Sequence, residues 1–298
     1  MKILLFGSRG QLGWELQRAL APLGELTALS TDSPDWPADF RQPESLAETV
    51  RALRPNLIAN AAAYTAVDRA ESEPQVAHAV NAAAPGVLAR EARALGATLL
   101  QFSTDYVFDG SGVEPRGEDA PAAPINIYGR SKLAGEEAVR TSGCRHLILR
   151  TSWVYAARGG NFARTILRLA AERDSLRVVD DQVGAPTGAE LLADVSAHAL
   201  RALQREPALA GTYHVAPGGE TSWHAYACRV VDAAAARGRP LKLRTRDIQA
   251  IPTRDYPSAA ARPLNSRLDT SRFRRAFDLT LPPWQQGVDR MLAELLDD

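Results

Sequence analysis

Several classes of protein are excluded by what this 298-residue chain lacks. It has two cysteines, Cys144 and Cys228, too few for a disulfide framework and too far apart for a metal knuckle. No apolar run approaches the ~20 residues that span a bilayer. The apolar stretch after Met1 and Lys2 is too short for the core of a signal peptide. We therefore expect a cytoplasmic protein with reduced thiols and no membrane partner.

The chain also lacks an excess of charge of either sign. Lysine plus arginine and aspartate plus glutamate number 35 each, so no overall field attracts nucleic acid or anionic lipid. An anionic substrate would have to be held by local arginines. The length suits one large α/β domain, or a nucleotide-binding domain with a smaller partner.

Short apolar strands alternate with amphipathic helices through the first half of the chain. This alternation predicts an α/β fold built on a doubly wound parallel sheet of the Rossmann type, with right-handed crossovers. The predicted strands are residues 3–6, 26–29, 57–59, 98–102 and 146–149, and the predicted helices are residues 11–21, 45–53, 74–95 (with a candidate break near Pro85) and 128–141.

The pattern is less regular after residue 150. We expect residues 1–150 to form a dinucleotide-binding domain, and residues 151–298 to form a smaller α/β substrate-binding part that is interleaved with the first. In this part we predict helices at 163–173, 190–204, from 221 and at 284–296, a strand at 211–215, and a long ordered loop at 251–267.

A glycine-rich turn directly follows the first strand. Gly7, Gly10 and Gly13 let the backbone approach a dinucleotide pyrophosphate at the start of the next helix. The alternative is a tight strand–helix turn without a ligand. The predicted cofactor-binding residues here are Gly7, Arg9, Gly10, Gln11, Leu12 and Gly13.

The residues after the second predicted strand bear on the choice of cofactor. Sites that prefer NAD usually carry an acidic residue there, whereas this chain has Ser30, with Asp32 a little further on. Arg9 in the glycine loop could meet a 2′-phosphate. We therefore predict NADPH as the cofactor, with NADH left open.

Tyr128 and Lys132 are four residues apart and so share one face of a predicted helix. A lysine ammonium beside a phenol lowers its pKa and makes it a plausible proton donor. Thr104 ends a central strand, where its hydroxyl could bond a substrate oxygen; alternatively it only caps the turn into Asp105. Ser103 is the rival hydroxyl, but strand alternation points it to the opposite side. This triad predicts hydride transfer from a nicotinamide with proton transfer from Tyr128.

The motifs together resemble the extended short-chain dehydrogenase/reductase superfamily. Three later segments are similar to the dTDP-4-dehydrorhamnose reductase family, and the likeness runs essentially from end to end. The superfamily motifs are the glycine loop, Asn60-Ala-Ala-Ala63, Ser103-Thr-Asp-Tyr-Val-Phe108 and Tyr128-Gly-Arg-Ser-Lys132; the later segments are Arg150-Thr-Ser-Trp-Val-Tyr155, Asp181-Gln-Val-Gly-Ala-Pro-Thr187 and Arg262-Pro-Leu-Asn-Ser-Arg267.

The resemblance implies reduction of the 4-keto group of dTDP-4-dehydro-6-deoxy-L-mannose with NAD(P)H to give dTDP-L-rhamnose. Tyr128 would donate the proton, Lys132 would hold the nicotinamide ribose and acidify Tyr128, and Thr104 would polarise the substrate oxygen. Further cofactor positions by resemblance are Ser30, Asp39, Phe40, Ala63, Tyr64 and Thr65, and further substrate positions are Asp105 and Trp153. By sequence alone, Trp153 is equally well a core residue.

Arg262 and Arg267 lie in the predicted loop, where guanidinium groups could grip the diphosphate of the nucleotide sugar. The alternative is an ordinary solvated loop.

Some family members bind Mg²⁺ through glutamates at a dimer interface, and Glu15, Glu190 and Glu294 match those positions. The resemblance therefore implies a homodimer with Mg²⁺. The alternative is that all three are ordinary carboxylates on helix surfaces.

Two other functions compete with the reductase. One is a sugar-nucleotide epimerase or dehydratase of the same superfamily, which would retain its cofactor and cycle the hydride. The other is a non-catalytic regulatory subunit, against which the intact Thr104, Tyr128 and Lys132 count.

Overall fold

A six-stranded parallel sheet is the centre of the computed structural model, which describes residues 1–296. The strands in the described residues are β1 (Lys2–Phe6), β2 (Glu25–Leu29), β3 (Leu57–Asn60), β4 (Thr98–Thr104), β5 (Arg145–Thr151), β6 (Val154–Tyr155), β7 (Leu176–Val179), β8 (Val183–Gly184), β9 (Thr187–Gly188), β10 (Gly211–His214), β11 (Thr221–Ser222) and β12 (Ile248–Ile251). The central sheet has the order β2-β1-β3-β4-β5-β10, and every pairing in it is parallel. This confirms the doubly wound α/β fold.

Helices cover both faces of the central sheet and form much of the chain after residue 150. They are α1 (Gln11–Leu20), α2 (Ser45–Leu53), α3 (Val67–Ala70), α4 (Pro74–His78), α5 (Ala84–Leu95), α6 (Ile127–Thr141), α7 (Phe162–Glu172), α8 (Ala189–Arg205), α9 (Trp223–Ala236), α10 (Ser271–Phe277) and α11 (Trp284–Leu296). Helices α2 and α11 occupy the predicted residues.

The predicted helix at 74–95 is present with a change of pitch. A π segment, Ala79–Ala83, joins α4 to α5 immediately before Pro85. Proline has no backbone N–H to donate to the preceding turn. The wider π turn before Pro85 therefore breaks no hydrogen bond that Pro85 would otherwise make.

The strands of the sheet are buried on both faces, which explains why they are apolar in sequence. Along β1, Ile3 and Leu5 face one core with α1, α8 and α10, while Leu4 and Phe6 face the other with α2 and α5. Successive side chains of a strand point to opposite faces, so one short segment serves two cores.

A third apolar core lies between α7, α9 and α11. It is closed by β12, which pairs in parallel with β7. The predicted loop at 251–267 therefore begins one residue later than expected, because Ile251 is the last residue of β12.

The helix predicted from 221 starts at Trp223, after β11. The Ser222 hydroxyl caps this helix by accepting from the backbone N–H of Ala225 at 3.1 Å.

The chain after residue 150 returns to the sheet that its first part builds. Helix α8 packs against α1, and β10 adds to the edge of the sheet beside β5.

Both cysteines are free thiols. Between residues 1 and 296, no helix is long and apolar enough to cross a membrane.

Candidate active site

The glycine loop connects β1 to α1 at the carboxyl edge of the sheet. Gly7 has φ +82°, and a Cβ there would lie 2.6 Å from the backbone nitrogen of Ala62. A Cβ on Gly13 would lie 2.0 Å from the carbonyl oxygen of Gly7. Because Gly10 is the N-cap of α1, no side chain covers the first N–H groups of the helix. This cradle of bare backbone at a helix N-terminus fits a dinucleotide pyrophosphate.

The end of β2 carries a small charged cluster beside the glycine loop. Asp32 pairs with Arg9 and accepts a hydrogen bond from the Ser30 hydroxyl at 2.7 Å. The Ser30 hydrogen bond, with Arg9 adding to it, holds the pKa of Asp32 below its usual range. Arg9 is therefore not a bare cation, and a cofactor 2′-phosphate would compete with the Asp32 carboxylate for it.

Asp39 and Phe40 lie just after this cluster. Asp39 is paired with Arg41 through two near-parallel contacts of 3.0 and 2.8 Å, and the Arg41 hydrogen bonds lower its pKa. Phe40 is buried and packs edge-on against Phe6 with ring centroids 5.4 Å apart. The aromatic ring anchors the segment on the sheet, and Asp39 stands at its surface.

Residues 63–65 follow β3 at the same edge of the sheet. The side chain of Asn81, in the π segment, accepts from the Tyr64 backbone N–H at 2.9 Å and donates to the Tyr64 carbonyl at 3.0 Å. The Tyr64 phenol donates to Glu73 at 2.6 Å. Three contacts therefore fix the path of this loop past the glycine cradle. Asn81 was missed from the sequence, where it is one polar residue in an alanine-rich helix.

Tyr128 lies in the first turn of α6, and the start of that helix is closely fixed. The Asn126 side chain caps it by accepting from the Gly129 N–H at 2.7 Å. A Cβ on Gly129 would lie 2.2 Å from the carbonyl oxygen of Tyr106, so the helix approaches that backbone closely. The Tyr106 and Tyr128 rings meet edge-on at 5.4 Å. Tyr128 is thus positioned mainly by the backbone that carries it.

Burial decides the protonation of the two residues proposed to act together. It raises the pKa of Tyr128 to about 12, although the hydrogen bond with Thr104 works in the opposite direction. The net shift of the Tyr128 pKa is therefore upward, opposite to the direction expected from the Tyr128–Lys132 spacing. Burial also lowers the pKa of Lys132 to about 8, and its ammonium donates to the Phe102 carbonyl at 2.7 Å.

The role of Thr104 toward a substrate oxygen stays a prediction, whereas the other role weighed for it, capping the turn after β4, is confirmed. Its hydroxyl accepts from the Tyr106 N–H at 3.2 Å, which caps the turn after β4, and it hydrogen-bonds the Tyr128 side chain. It also donates to Asp105 at 3.1 Å. Asp105 is buried, and desolvation raises its pKa to about 6 against the hydrogen bonds of Ser266 and Thr104.

Trp153 follows β5 in a left-handed backbone conformation, with φ +50°. Its ring stacks on Trp223 with centroids 3.7 Å apart and an interplanar angle of 15°. Gly184 makes room for it, since a Cβ there would lie 3.1 Å from the indole. Trp223 was not among the predicted site residues, because the stack joins positions seventy residues apart.

An apolar cavity of about 400 Å³ lies beside Tyr106 and is also lined by Phe162, Val178, Trp223 and Arg262 among others. Arg262 donates to Asp68 at 2.6 Å, while its Nη1 is buried and finds no partner in the described part of the chain. This guanidinium therefore has a donor left for an anionic ligand.

Arg267 lies elsewhere. It pairs with Glu220 through contacts of 2.5 and 3.2 Å and lines a second cavity of about 440 Å³ together with Gly184 and Asp269. The structure does not bring the two predicted arginines to one cavity.

Glu15, Glu190 and Glu294 do line one cavity, of about 250 Å³. However, Arg290 pairs with Glu190 at 2.7 Å, and Arg18 lies 3.5 Å from Glu15. Over residues 1–296, no group of three or more His, Cys, Asp or Glu side chains is arranged to hold a metal ion. The expected Mg²⁺ site thus receives no support, and two of the three carboxylates, Glu15 and Glu190, have arginine partners instead.

Known proteins resemble the chain over its whole length. The family model described as RmlD substrate binding domain matches residues 1–296. The dTDP-4-dehydrorhamnose reductase of Salmonella typhimurium is 54% identical over 295 residues, covering 99% of this chain and 98% of the relative.

Two solved structures are similar at the level of the fold and the sequence. One is a dTDP-4-dehydrorhamnose reductase from Clostridium acetobutylicum, with a TM-score of 0.88, 32% identity and 99% of each chain covered. The other is the Bacillus anthracis dTDP-4-dehydrorhamnose reductase in complex with NADP, with a TM-score of 0.87 and 34% identity over 98% of this chain and 99% of that one. This chain therefore belongs to the RmlD substrate-binding-domain family, whose members include the dTDP-4-dehydrorhamnose reductases.

Proposed function

We propose that this protein is a reductase that uses NADPH to convert the 4-keto group of dTDP-4-dehydro-6-deoxy-L-mannose into the hydroxyl of dTDP-L-rhamnose. One observation carries the proposal: Tyr128 bonds Thr104 at the carboxyl end of β4, and Lys132, one helical turn further along α6, donates to the Phe102 carbonyl of the same strand. The glycine cradle follows β1 at the same edge of the parallel sheet. The names of its relatives and the NADP complex of the Bacillus anthracis enzyme support the substrate and the cofactor.

The cofactor, when bound, supplies the hydride to the carbonyl carbon. We assign the pyrophosphate to the glycine cradle, the adenosine ribose side to the Arg9 cluster, and the nicotinamide ribose to Lys132. NADH remains an alternative, because Asp32 can accept from ribose hydroxyls. The full set of proposed cofactor contacts is Gly7, Arg9, Gly10, Gln11, Leu12, Gly13, Ser30, Asp39, Phe40, Ala63, Tyr64, Thr65, Tyr128 and Lys132.

The chain's own residues supply the proton and stabilise charge. As the carbonyl is reduced, negative charge grows on its oxygen, where hydrogen-bond donors stabilise the transition state most. Tyr128, with its pKa near 12, is protonated at neutral pH and can give its proton to that oxygen. We assign Thr104 as a second donor to that oxygen, a role in which its hydroxyl proton would turn to the substrate from Asp105. Lys132 is cationic below a pH of about 8 and favours negative charge nearby.

The substrate would lie between these residues and the apolar cavity. We assign the sugar to Thr104, Asp105 and Trp153, and the diphosphate to Arg262, whose Nη1 lacks a protein partner among the described residues. Arg267 is paired with Glu220, and its assignment to the substrate stays a prediction.

Three expectations from the sequence analysis remain proposals. We propose a cytoplasmic homodimer, and a division of labour in which residues 1–150 bind the dinucleotide and residues 151–298 bind most of the substrate. The return of α8 and β10 to the central sheet supports the interleaving of the two parts. No step of the proposed chemistry depends on Mg²⁺.

The test is NADPH and NADH oxidation by the purified protein with and without the 4-ketosugar nucleotide. We expect consumption that requires the ketosugar and is faster with NADPH. A tightly retained cofactor with no net consumption would favour the epimerase or dehydratase. No turnover by a protein that still binds NADPH would favour the regulatory subunit.

A further inference from the structure

Three neighbouring residues of β4 contact three residues of α6 that are spaced four apart. Four residues are about one helical turn, so the three α6 residues lie in one row along the helix, and we call this set of contacts the β4–α6 seam. The first contact lies in the proposed catalytic pair, and the third lies two turns away from it. The pairs are Thr104 with Tyr128, Phe102 with Lys132, and Ser103 with Glu136.

Glu136 is the most deeply buried member of the seam, with a side chain that is 0% exposed. Its carboxylate accepts from the Ser103 hydroxyl at 2.6 Å and from Arg150 at 2.8 and 2.7 Å. Arg140, one helical turn further along α6, donates at 2.8 Å. Burial would raise the pKa of Glu136, but the Arg150, Ser103 and Arg140 hydrogen bonds outweigh it and hold the pKa below its usual range. The carboxylate is therefore charged and fully engaged.

The partners of Glu136 are themselves fixed by the sheet. Arg150 is buried in β5, lies 3.4 Å from the ring of His214 in β10, and stacks over Phe108 at 5.2 Å. Burial, together with the positive charge of Arg150, lowers the pKa of His214 to about 4, so His214 is neutral near pH 7. The charged groups that face Glu136 are thus Arg150 from β5, with Arg140 and Lys132 from its own helix.

We propose that Glu136 is a positioning residue of the reductase: by bonding Ser103 and Arg150, it fixes the register of α6 on the end of β4 so that Tyr128 meets Thr104. This inference rests on the proposed function. The geometry favours a role in positioning because one carboxylate joins the helix to the residue directly before Thr104 and to the neighbouring strand.

A second consequence is electrostatic. Glu136 raises the pKa of Lys132, while burial lowers it to about 8. Removing that negative charge leaves burial unopposed, so the ammonium would lose its proton at a lower pH. Any property that needs cationic Lys132 should then fail at a lower pH than in the wild type.

The test uses Glu136→Gln in the full-length protein, which keeps the shape of the side chain and removes its charge. We expect kcat to fall at least about tenfold and the alkaline limb of the kcat profile to move down by about one pH unit. The matched control is Glu91→Gln. Glu91 is also buried and pairs with one arginine through two contacts, of 2.8 and 2.6 Å to Arg51, away from the seam. A purely structural ion pair would lower Tm in both variants and leave both profiles unchanged.

Ser103→Ala tests the seam without breaking the Glu136–Arg150 ion pair. If Glu136→Gln does not fold, this variant alone tests whether Glu136 acts as a positioning residue. We expect kcat to fall about threefold or more with KM for NADPH nearly unchanged. Its control is Ser196→Ala, a buried serine whose hydroxyl bonds only within α8, at 2.6 Å to the Leu192 carbonyl. Wild-type kcat in folded Ser103→Ala, with an unmoved pH limb in folded Glu136→Gln, would overturn the inference.

NADPH binding separates this inference from the proposed function. If the wild type binds NADPH but does not reduce the ketosugar, the proposed reaction is wrong. The seam is then judged by the pH dependence of NADPH affinity, followed by fluorescence titration. If the alkaline limb of the NADPH-affinity profile moves to lower pH in Glu136→Gln and stays in place in Glu91→Gln, the proposed effect of Glu136 on the Lys132 pKa is supported. Identical alkaline limbs in the two variants refute that effect.

Discussion

At the scale of single residues, the proposed chemistry depends on side chains whose protonation is set by burial. Tyr128, Lys132 and Asp105 each depart from their ordinary pKa because desolvation is the largest influence on them. Hydrogen bonds and neighbouring charges modify these shifts without reversing them. The result is a phenol that holds its proton at neutral pH and, one helical turn further along α6, an ammonium that titrates near pH 8.

Tyr128→Phe tests the proton donor directly. The change removes one hydroxyl and leaves the ring and its edge-on contact with Tyr106. Turnover should fall about 10²- to 10⁴-fold, because a positioned general acid supplies roughly that factor. NADPH affinity, measured by titration, should stay nearly constant. Near-normal reduction by a folded variant would remove Tyr128 from the mechanism.

Arg9 and Asp32 provide a paired test of cofactor preference. Arg9→Ala should raise KM for NADPH about ten- to hundredfold and change KM for NADH little, since a charge-assisted hydrogen bond is worth about 1.5–3 kcal/mol. Asp32→Ala should have the opposite effect on NADPH, because it removes the carboxylate that occupies Arg9. Both effects should weaken at high salt, since the pair is exposed. Equal changes for the two cofactors would show that the cluster only shapes the loop.

At the scale of secondary-structure elements, close backbone approaches decide where helices lie. Gly13 lets α1 reach the glycine loop, Gly129 lets α6 reach the turn after β4, and Gly135 lets α6 reach the π segment, where a Cβ would lie 2.0 Å from the Asn81 carbonyl. Small residues at such contacts are visible in sequence. Their partners are not, because each lies in a different element.

Gly13→Ala tests one of these approaches. The added methyl group would meet the Gly7 carbonyl, so α1 must move away from the loop or the loop must distort. We expect a loss of about 1–3 kcal/mol in the free energy of unfolding, the usual cost of overpacking, together with weaker NADPH binding.

The control is Gly117→Ala, where a Cβ would have no neighbour within 4 Å. It should leave Tm and NADPH affinity close to those of the wild type. Denaturant unfolding and cofactor titration measure both quantities. If Gly13→Ala behaves like its control, the cradle is looser than its geometry indicates.

At the scale of the whole molecule, two buried groups make opposite contributions to acid stability. The pKa of His214 falls from 6.5 to about 4 on folding, so the unfolded chain binds the extra proton and stability is lost as pH falls through that window. The pKa of Asp105 rises from 3.8 to about 6, so its burial destabilises the fold above that pH and is relieved on acidification. Each interval corresponds to about 3 kcal/mol.

The two contributions should largely cancel between pH 6 and pH 4 in the wild type. Asp105→Asn should be more stable than the wild type near pH 7, by up to about 3 kcal/mol, and should lose that advantage on acidification. His214→Asn should retain more of its stability than the wild type as pH falls from 6.5 to 4. Urea unfolding at several pH values measures both; parallel curves for all three proteins would contradict the assignment.

Local pattern determined much of this protein. The alternation of apolar strands and amphipathic helices predicted the sheet, and the glycine loop and the Tyr128–Lys132 spacing predicted the place of the proposed site, because strand period, helix period and turn chemistry depend on neighbouring residues. The first strand and helix and the last helix lie within a residue or so of their predicted bounds for the same reason.

Tertiary structure alone decided the rest. The pairing of β12 with β7, the stack of Trp153 on Trp223 and the bonds of Glu136 to Ser103 and Arg150 join residues that are distant in sequence or in different elements. It also separated Arg262 from Arg267 and gave Glu15 and Glu190 arginine partners. The upward pKa of Tyr128 belongs here too, since desolvation depends on everything that packs around a group and on no motif within the chain.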